Sequence, residues 1–416
     1  MSRGPSRLRR FAVPASIILC SIVATLIALE LGLRAFGDPD GDGLLAGYRL
    51  RPGHIDLAHV EASLQRYLDH GDSAKLVYDE MLGWRYRAHS VLMDGRFTTQ
   101  TEGMRALQDY DTAVSSDILR IALIGDSFVA DVDVADEDSW GFQLERLLNN
   151  AGMRVEILNF GVEAFGMGQS YLRWQHIVRA YSPDIVIFGV QSENLFRNVN
   201  LFRVLTFGNT GIPLSKPRYI LTDGELELIN QPVPPPDSLM DIYRNFERFP
   251  LAKYEFYYDR HKILDKWWSD SWLLVLLHDA VRQRSAAPDD FSRDSERVTL
   301  GIAIIEAMAA DVAATGAHFL AVHLPKRSLV RSYHAGIQSP YHEFLQLMAE
   351  RFHFLATETV IGPEFAEWQH LWGETGHYGP VLSGEVGAFV AAEILACVQD
   401  GSCDFARRQA LLRSWS

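Results

Sequence analysis

Cysteine is scarce, three residues in 416, and no Cys-x-x-Cys pair occurs, which excludes zinc clusters and disulfide scaffolds. Cations are outnumbered: 39 Lys and Arg against 53 Asp and Glu give a formal net charge of −14. Such a balance argues against a nucleic-acid surface, which needs clustered Lys and Arg to neutralise phosphates. No nucleotide or flavin motif is present, so no cofactor is expected. A metal centre on His370 and His377 lacks a clustered third ligand, and none is expected. Internal repeats and low-complexity tracts are missing too. What is present, 48% hydrophobic and 22% charged residues, describes an ordinary globular protein. The length suffices for one large α/β core, an anchor and a sizeable insertion.

Charge is absent from the 19 residues Phe11 to Leu29, which follow Arg3, Arg7, Arg9 and Arg10 and end at Glu30 and Arg34. About 20 helical residues span a hydrocarbon core. Basic residues before the run and an acidic body after it predict a cytoplasmic N-terminus and an exported domain. The rival, a cleaved signal peptide, normally has a shorter apolar region and a small-residue cleavage site. Here the run continues into Glu30-Leu31-Gly32-Leu33-Arg34, so an uncleaved anchor is expected. The expected location is a bacterial inner membrane, with the body facing the periplasm. Cys20 falls within the span. Cys397 and Cys403 enclose five residues, and a disulfide between them suits an oxidising compartment. Two unpaired thiols are the alternative.

The expected domains are a tip and anchor over 1–37, an extension over 38–116, an α/β domain over 117–400 and a tail over 401–416. The extension reads as a helix near 56–69 followed by irregular structure. From Asp117 strand and helix patterns alternate: strand 118–124, helix 139–150 opened by Ser139, strand 154–160, helix 168–181 and strand 185–188. Such alternation predicts βαβ units and a parallel sheet, with chemistry at the carboxyl ends of its strands. Residues 199–292 break the rhythm with prolines, a hairpin turning at Asp223-Gly224 and a Trp- and Tyr-rich helical stretch near 249–283. That insertion reads as a lid or subdomain. Its Tyr254, Phe256, Tyr257, Tyr258, Trp267, Trp268 and Trp272 suit contact with a sugar or acyl chain, or plain packing. The rhythm then resumes with helix 294–316, strand 317–324, helix 340–351, strand 352–356 and helix 382–398.

Gly125-Asp126-Ser127-Phe128 directly follows the first strong strand, where a serine hydroxyl would project from the sheet's carboxyl edge. A serine becomes a competent nucleophile through a base, usually histidine, oriented by a carboxylate. Glu374-Thr375-Gly376-His377 offers both from one loop. Oxyanion donors would come from the Ser127 N–H, an N–H within Asn159 to Gly166, and the Asn194 amide.

That ordered set resembles the SGNH/GDSL hydrolases over roughly 117–200 and 294–398. The block Val132-Asp133-Val134-Ala135-Asp136-Glu137-Asp138-Ser139-Trp140 looks like the membrane-tethered bacterial members. So do Tyr78-Asp79-Glu80-Met81-Leu82-Gly83-Trp84 and Lys216-Pro217-Arg218-Tyr219. The resemblance implies a flavodoxin-like three-layer α/β/α fold and ester hydrolysis, with Ser127 as nucleophile, His377 as base and Glu374 as its partner. It places oxyanion donors at Ala164 and Asn194, with Asp126, Gly161, Gly166 and Asn198 as secondary candidates. Three departures stand out: Glu374 where Asp is usual, Ala164 where glycine is usual, and Ser192-Glu193-Asn194-Leu195 where Gly-x-Asn-Asp is usual. A Glu193 carboxylate facing the oxyanion would oppose catalysis. The expected substrate is an acylated envelope glycan or a lipid-like ester, with no nucleic-acid partner. Acyl transfer from the same site, or a catalytically silent glycan- or protein-binding domain, are the alternatives.

Overall fold

The structure is a computed structural model describing residues 7–37, 44–45, 48–49, 57–207, 210–258, 268, 270–285 and 290–400. Cys403, Trp267 and the tail 401–416 lie outside the described residues. The chain divides into two compact units, one of residues 1–60 and 258–290, the other of 61–257 and 291–416.

The larger unit is built on five parallel strands: β1 (Leu119–Ile124), β2 (Val155–Asn159), β3 (Ile185–Val190), β4 (His318–His323) and β5 (Phe354–Ala356). Their spatial order is β5-β4-β3-β1-β2. Ile121 pairs with Ile185 and His318 with Ile185, so β3 lies at the centre. Every residue of β1 and β3 is buried, as expected where helices cover both faces of a parallel sheet. Counted within the sheet, this is the flavodoxin-like order 2-1-3-4-5, whose switch point between β1 and β3 is where such folds bind ligands.

Alternation of side chains along β1 sends Leu119, Ile121 and Leu123 to one face, where they share a core with Trp140, Leu144 and Leu148 of the helix Trp140–Asn150. Leu382, Val386, Val390 and Ile394 of the helix Pro380–Asp400 join the same core. That helix is long and apolar enough to cross a membrane, yet here it is a core helix. The helices Met167–His176 and Glu296–Ala314 pack against each other. The result is the three-layer α/β/α architecture expected from the sequence.

Ser139 does stand at the start of the helix Trp140–Asn150, but its hydroxyl donates to the Asp136 carbonyl at 2.8 Å. Asp131 takes the capping role instead, accepting from the Trp140 N–H at 2.9 Å. The stretch read as irregular after residue 69 contains two short hairpins, Leu76–Asp79 with Gly83–Tyr86 and Ser90–Leu92 with Phe97–Thr99. Strands of three or four residues are too short for alternation to be read from sequence. They carry Arg105 in behind them, and its buried guanidinium grips the loop after Ser127. It donates to Asp136 at 2.8 Å and to the carbonyls of Ala130 and Asp131, both at 2.7 Å.

In the insertion, Arg218–Thr222 and Glu225–Ile229 form the expected hairpin. Phe256 and Tyr257 pack with Phe196 and Phe291 around the Arg297 guanidinium, 4.6 to 5.7 Å from the ring centres. Packing and cation–π attraction account for these two aromatics. In the smaller unit, the helix Arg7–Phe36 contains the predicted span, and Cys20 is a free thiol. Cys397 is disulfide-bonded.

Close approach makes one glycine of the second strand's exit loop indispensable. A Cβ on Gly161 would lie 2.4 Å from the Ala130 nitrogen and 2.8 Å from the Val129 carbonyl carbon, both backbone atoms that cannot swing aside. Gly161→Ala is expected to lower unfolding free energy by about 1–3 kcal/mol in urea titrations, the usual cost of overpacking.

Candidate active site

The turn after β1 is crowded from both sides. A Cβ on Gly125 would meet Val129 Cγ2 at 2.4 Å and the Gly189 carbonyl at 2.8 Å. Asp126 then caps the short helix Ser127–Ala130 by accepting from the Phe128 N–H at 2.9 Å. Its other oxygen takes a 3.1 Å hydrogen bond from Arg197, whose guanidinium also donates to the Phe165 carbonyl at 2.8 Å. One partly buried arginine therefore ties the Asp126-Ser127 turn to the loop after β2 and to the helix after β3. Neither Arg197 nor Arg105 was singled out in the sequence, because an isolated arginine carries no motif.

Ser127 and His377 meet: Oγ and Nε2 are 2.7 Å apart. The imidazole packs on Phe128, 4.6 Å between ring centres, and Phe128 in turn contacts Tyr378 at 5.2 Å. Behind the ring stands Asp133, not Glu374. Glu374 is exposed, and no hydrogen bond among the described residues joins it to His377. Asp133 lies 3.7 Å from His377 Nδ1 and accepts from the His377 N–H at 3.2 Å. It also accepts from the Thr375 N–H at 2.8 Å and the Thr375 hydroxyl at 2.9 Å. Thr375 Oγ1 is 2.6 Å from His377 Nδ1. With that hydroxyl proton directed to Asp133, Nδ1–H donates to Oγ1, leaving Nε2 to accept from Ser127.

Geometry explains why the carboxylate comes from far along the chain. Gly373 has Asp133 so close that a Cβ there would lie 2.2 Å from the aspartate Cβ. Burial alone would raise the Asp133 pKa. The hydrogen bond and charge of His377 and the two Thr375 donors outweigh it and hold the carboxyl at about 2. A carboxyl depressed in the fold contributes stability above its unfolded value near 4, and loses it as pH falls through about 2.

The oxyanion candidates separate by what their donors already do. The Gly161 N–H is taken by Asn159 Oδ1 at 2.9 Å, and the Gly166 N–H by Gln169 Oε1 at 3.0 Å. Asn198 points its amide at Met167 Sδ and the Arg297 carbonyl. By contrast, the N–H groups of Ser127 and Ala164 have no hydrogen-bond partner among the described residues. Asn194 is buried, and among the described residues neither its amide nitrogen nor its carboxamide oxygen has a hydrogen-bond partner; only the nitrogen could donate to an oxyanion. Ala164 adopts φ +65°, the left-handed conformation for which glycine is suited. Its loop is braced by the Trp84 indole, which donates to the adjacent Glu163 carbonyl at 2.9 Å. Glu193 forms an ion pair with Lys326, so its charge is compensated.

A second serine–histidine–carboxylate chain, also not anticipated, lies buried along the same sheet edge. Ser192 Oγ is 2.8 Å from His323 Nε2, and His323 Nδ1 is 2.8 Å from Glu358. Ser192 has no exposed surface and His323 almost none, so substrate has no route to this serine. It joins the ends of β3 and β4 to the turn after β5, next to Asn194. Ser192 occupies a position where the resemblance leads one to expect glycine.

The fold and site together define an α/β protein of flavodoxin-like strand order with a serine–histidine pair backed by a carboxylate. No protein-family model matches the sequence, and no curated protein does. Solved structures similar to it include a GDSL-like lipase from Bacteroides thetaiotaomicron VPI-5482, 10% identical, covering 70% of this chain and 93% of its own, with a TM-score of 0.32. The psychrotrophic esterase EstA from Pseudoalteromonas sp. is 10% identical, covering 67% and 98%, with a TM-score of 0.34. A mutant of the acetyl-xylooligosaccharide esterase Axe2 from Geobacillus Stearmophilus is also 10% identical, covering 67% and 93%, with a TM-score of 0.34. At such identities and scores, any reading of this chain's activity rests on its own site.

Two substitutions separate the carboxylates. Asp133→Asn is expected to lower kcat by about 10³–10⁴ in an ester-hydrolysis assay, the scale seen when a histidine loses its orienting carboxylate. Glu374→Gln, on an exposed side chain, should leave kcat within about twofold. Ala164→Gly should raise stability by about 0.5–1 kcal/mol in denaturant titrations, since it relieves a left-handed non-glycine residue while adding chain entropy to the unfolded state.

Proposed function

We propose that the chain is a serine esterase of the SGNH/GDSL type, acting on O-acyl groups of an envelope glycan or on a lipid-like ester. The observation that carries this reading is the 2.7 Å contact between Ser127 Oγ and His377 Nε2, with Asp133 behind the imidazole. Ser127 attacks the acyl carbonyl as Nε2 accepts its proton, and Asp133, directly and through Thr375, stabilises the imidazolium. The Ser127 and Ala164 N–H groups, without hydrogen-bond partners among the described residues, and the Asn194 amide N–H receive the oxyanion. The imidazolium then protonates the leaving alcohol. Water, activated by the same histidine, releases the acyl group and regenerates the serine. A sugar hydroxyl in place of that water would give acyl transfer by the same steps.

The apolar helix at the N-terminus supports an anchor that holds this domain at a bacterial inner membrane, on the periplasmic side. The test is labelling of the detergent-solubilised full chain with a fluorophosphonate, alongside turnover of p-nitrophenyl acetate. Wild type should label at Ser127, and Ser127→Ala should lose the label and about 10⁵–10⁶ of kcat while retaining its melting temperature. A folded wild type that neither labels nor turns over would overturn the esterase and leave a binding domain.

A further inference from the structure

The smaller unit holds a feature that ester hydrolysis does not use. The helix Trp272–Ser285 begins against the last turns of the N-terminal helix. Glu30 supplies its cap, accepting from the Trp272 N–H at 3.0 Å, the Leu273 N–H at 2.8 Å and the Ser271 hydroxyl at 2.9 Å. A carboxylate is well suited to the unpaired N–H groups and positive end of a helix dipole. Arg34 fixes that carboxylate at 2.6 Å, donates to the Asp270 carbonyl, and sits 5.9 Å from the Trp272 ring centre.

Glu30 is also the first charged residue after the uncharged run, so this fastening marks the level at which the apolar helix would leave a bilayer. Residues Ile17–Phe36 have a mean hydropathy of 2.1, and the protein covers none of that window. Beyond the cap, Val275 is buried, while Leu274, Leu277 and Val281 are 38%, 52% and 65% exposed. Positions i, i+3 and i+7 share one helical face. A largely apolar stripe, with His278 beside it, is therefore exposed on a helix fastened to the exit of an apolar span. Fourteen residues rise only about 21 Å, too short to cross a hydrocarbon core of about 30 Å, but suited to lying in its interface. Trp268 and Trp272 are the residue type favoured at that depth.

We infer that the helix Trp272–Ser285 is an interfacial helix, its Leu274, Leu277 and Val281 face seated in the bilayer that holds the N-terminal anchor. This rests on the anchor reading and is independent of the catalytic one. The two helices would make a two-point attachment, one spanning and one lying on the surface, that restricts rotation about the anchor.

The test uses the full chain, Cys20→Ser, reconstituted in phosphatidylcholine vesicles. An environment-sensitive fluorophore is placed at Leu277→Cys, Val281→Cys or Ile22→Cys, or at Glu225→Cys on the exposed hairpin. Blue-shifted emission at 277 and 281, lost to lipids spin-labelled near the headgroup while the 225 label stays aqueous, is the expected result. Aqueous, unquenched labels at 277 and 281 would overturn it. So would blue-shifted labels that lipid does not quench, which would mean a protein, such as a second copy, covers the face. The label at 22 reports separately whether the span itself is in lipid.

Discussion

The contact between Ser127 and His377 joins residues 250 positions apart, and much of the larger unit serves to hold its two ends together. On the serine side, β1 delivers the chain to a turn too tight for a side chain at Gly125, and Asp126 caps the helix that follows. On the histidine side, Phe128 and Tyr378 pack the imidazole. Asp133 then stitches the 375–377 loop to the Ser127 side through three donors, the Thr375 N–H and hydroxyl and the His377 N–H.

Asp133 itself needs support, which comes from outside the sheet. Arg105 spreads its donors over the carbonyls of Ala130, Asp131 and Val134 and the carboxylate of Asp136. A buried arginine so fully engaged makes the loop rigid, because releasing any contact would leave charge or a carbonyl unsatisfied in a poor solvent. On the other flank Arg197, partly exposed, bridges Asp126 and the Phe165 carbonyl. Two arginines thus connect loops that the strand order brings near but does not itself join. Between them runs the strained Ala164, whose positive φ persists because Trp84 and the crowded Gly161 backbone constrain its loop on either side.

Much of this was legible in the sequence. The strands from 118 to 188, the serine after the first of them, the histidine before the last helix and the hairpin at Asp223-Gly224 all follow from local pattern. The carboxylate did not. Glu374, three residues from His377, looks like its partner along the chain, yet its side chain faces solvent. Asp133 was visible only as part of a block of acidic residues after Ser127. The hairpins between 76 and 99 were hidden because strands so short carry no period, and Arg105 and Arg197 because single cations have no spacing to recognise.

What the sequence determined by itself is the order of elements: an apolar run, a βαβ rhythm, a serine at a strand's end and a histidine near the C-terminus. These depend on periodicity and on neighbours within a few residues, and such interactions are local. Which carboxylate reaches the imidazole, which backbone N–H groups lack partners among the described residues, and which helix caps itself on Glu30 were decided only by tertiary structure. Each depends on the distance between side chains from separate elements, set by sheet order and by how closely glycine lets backbones approach. No spacing along the chain encodes that distance.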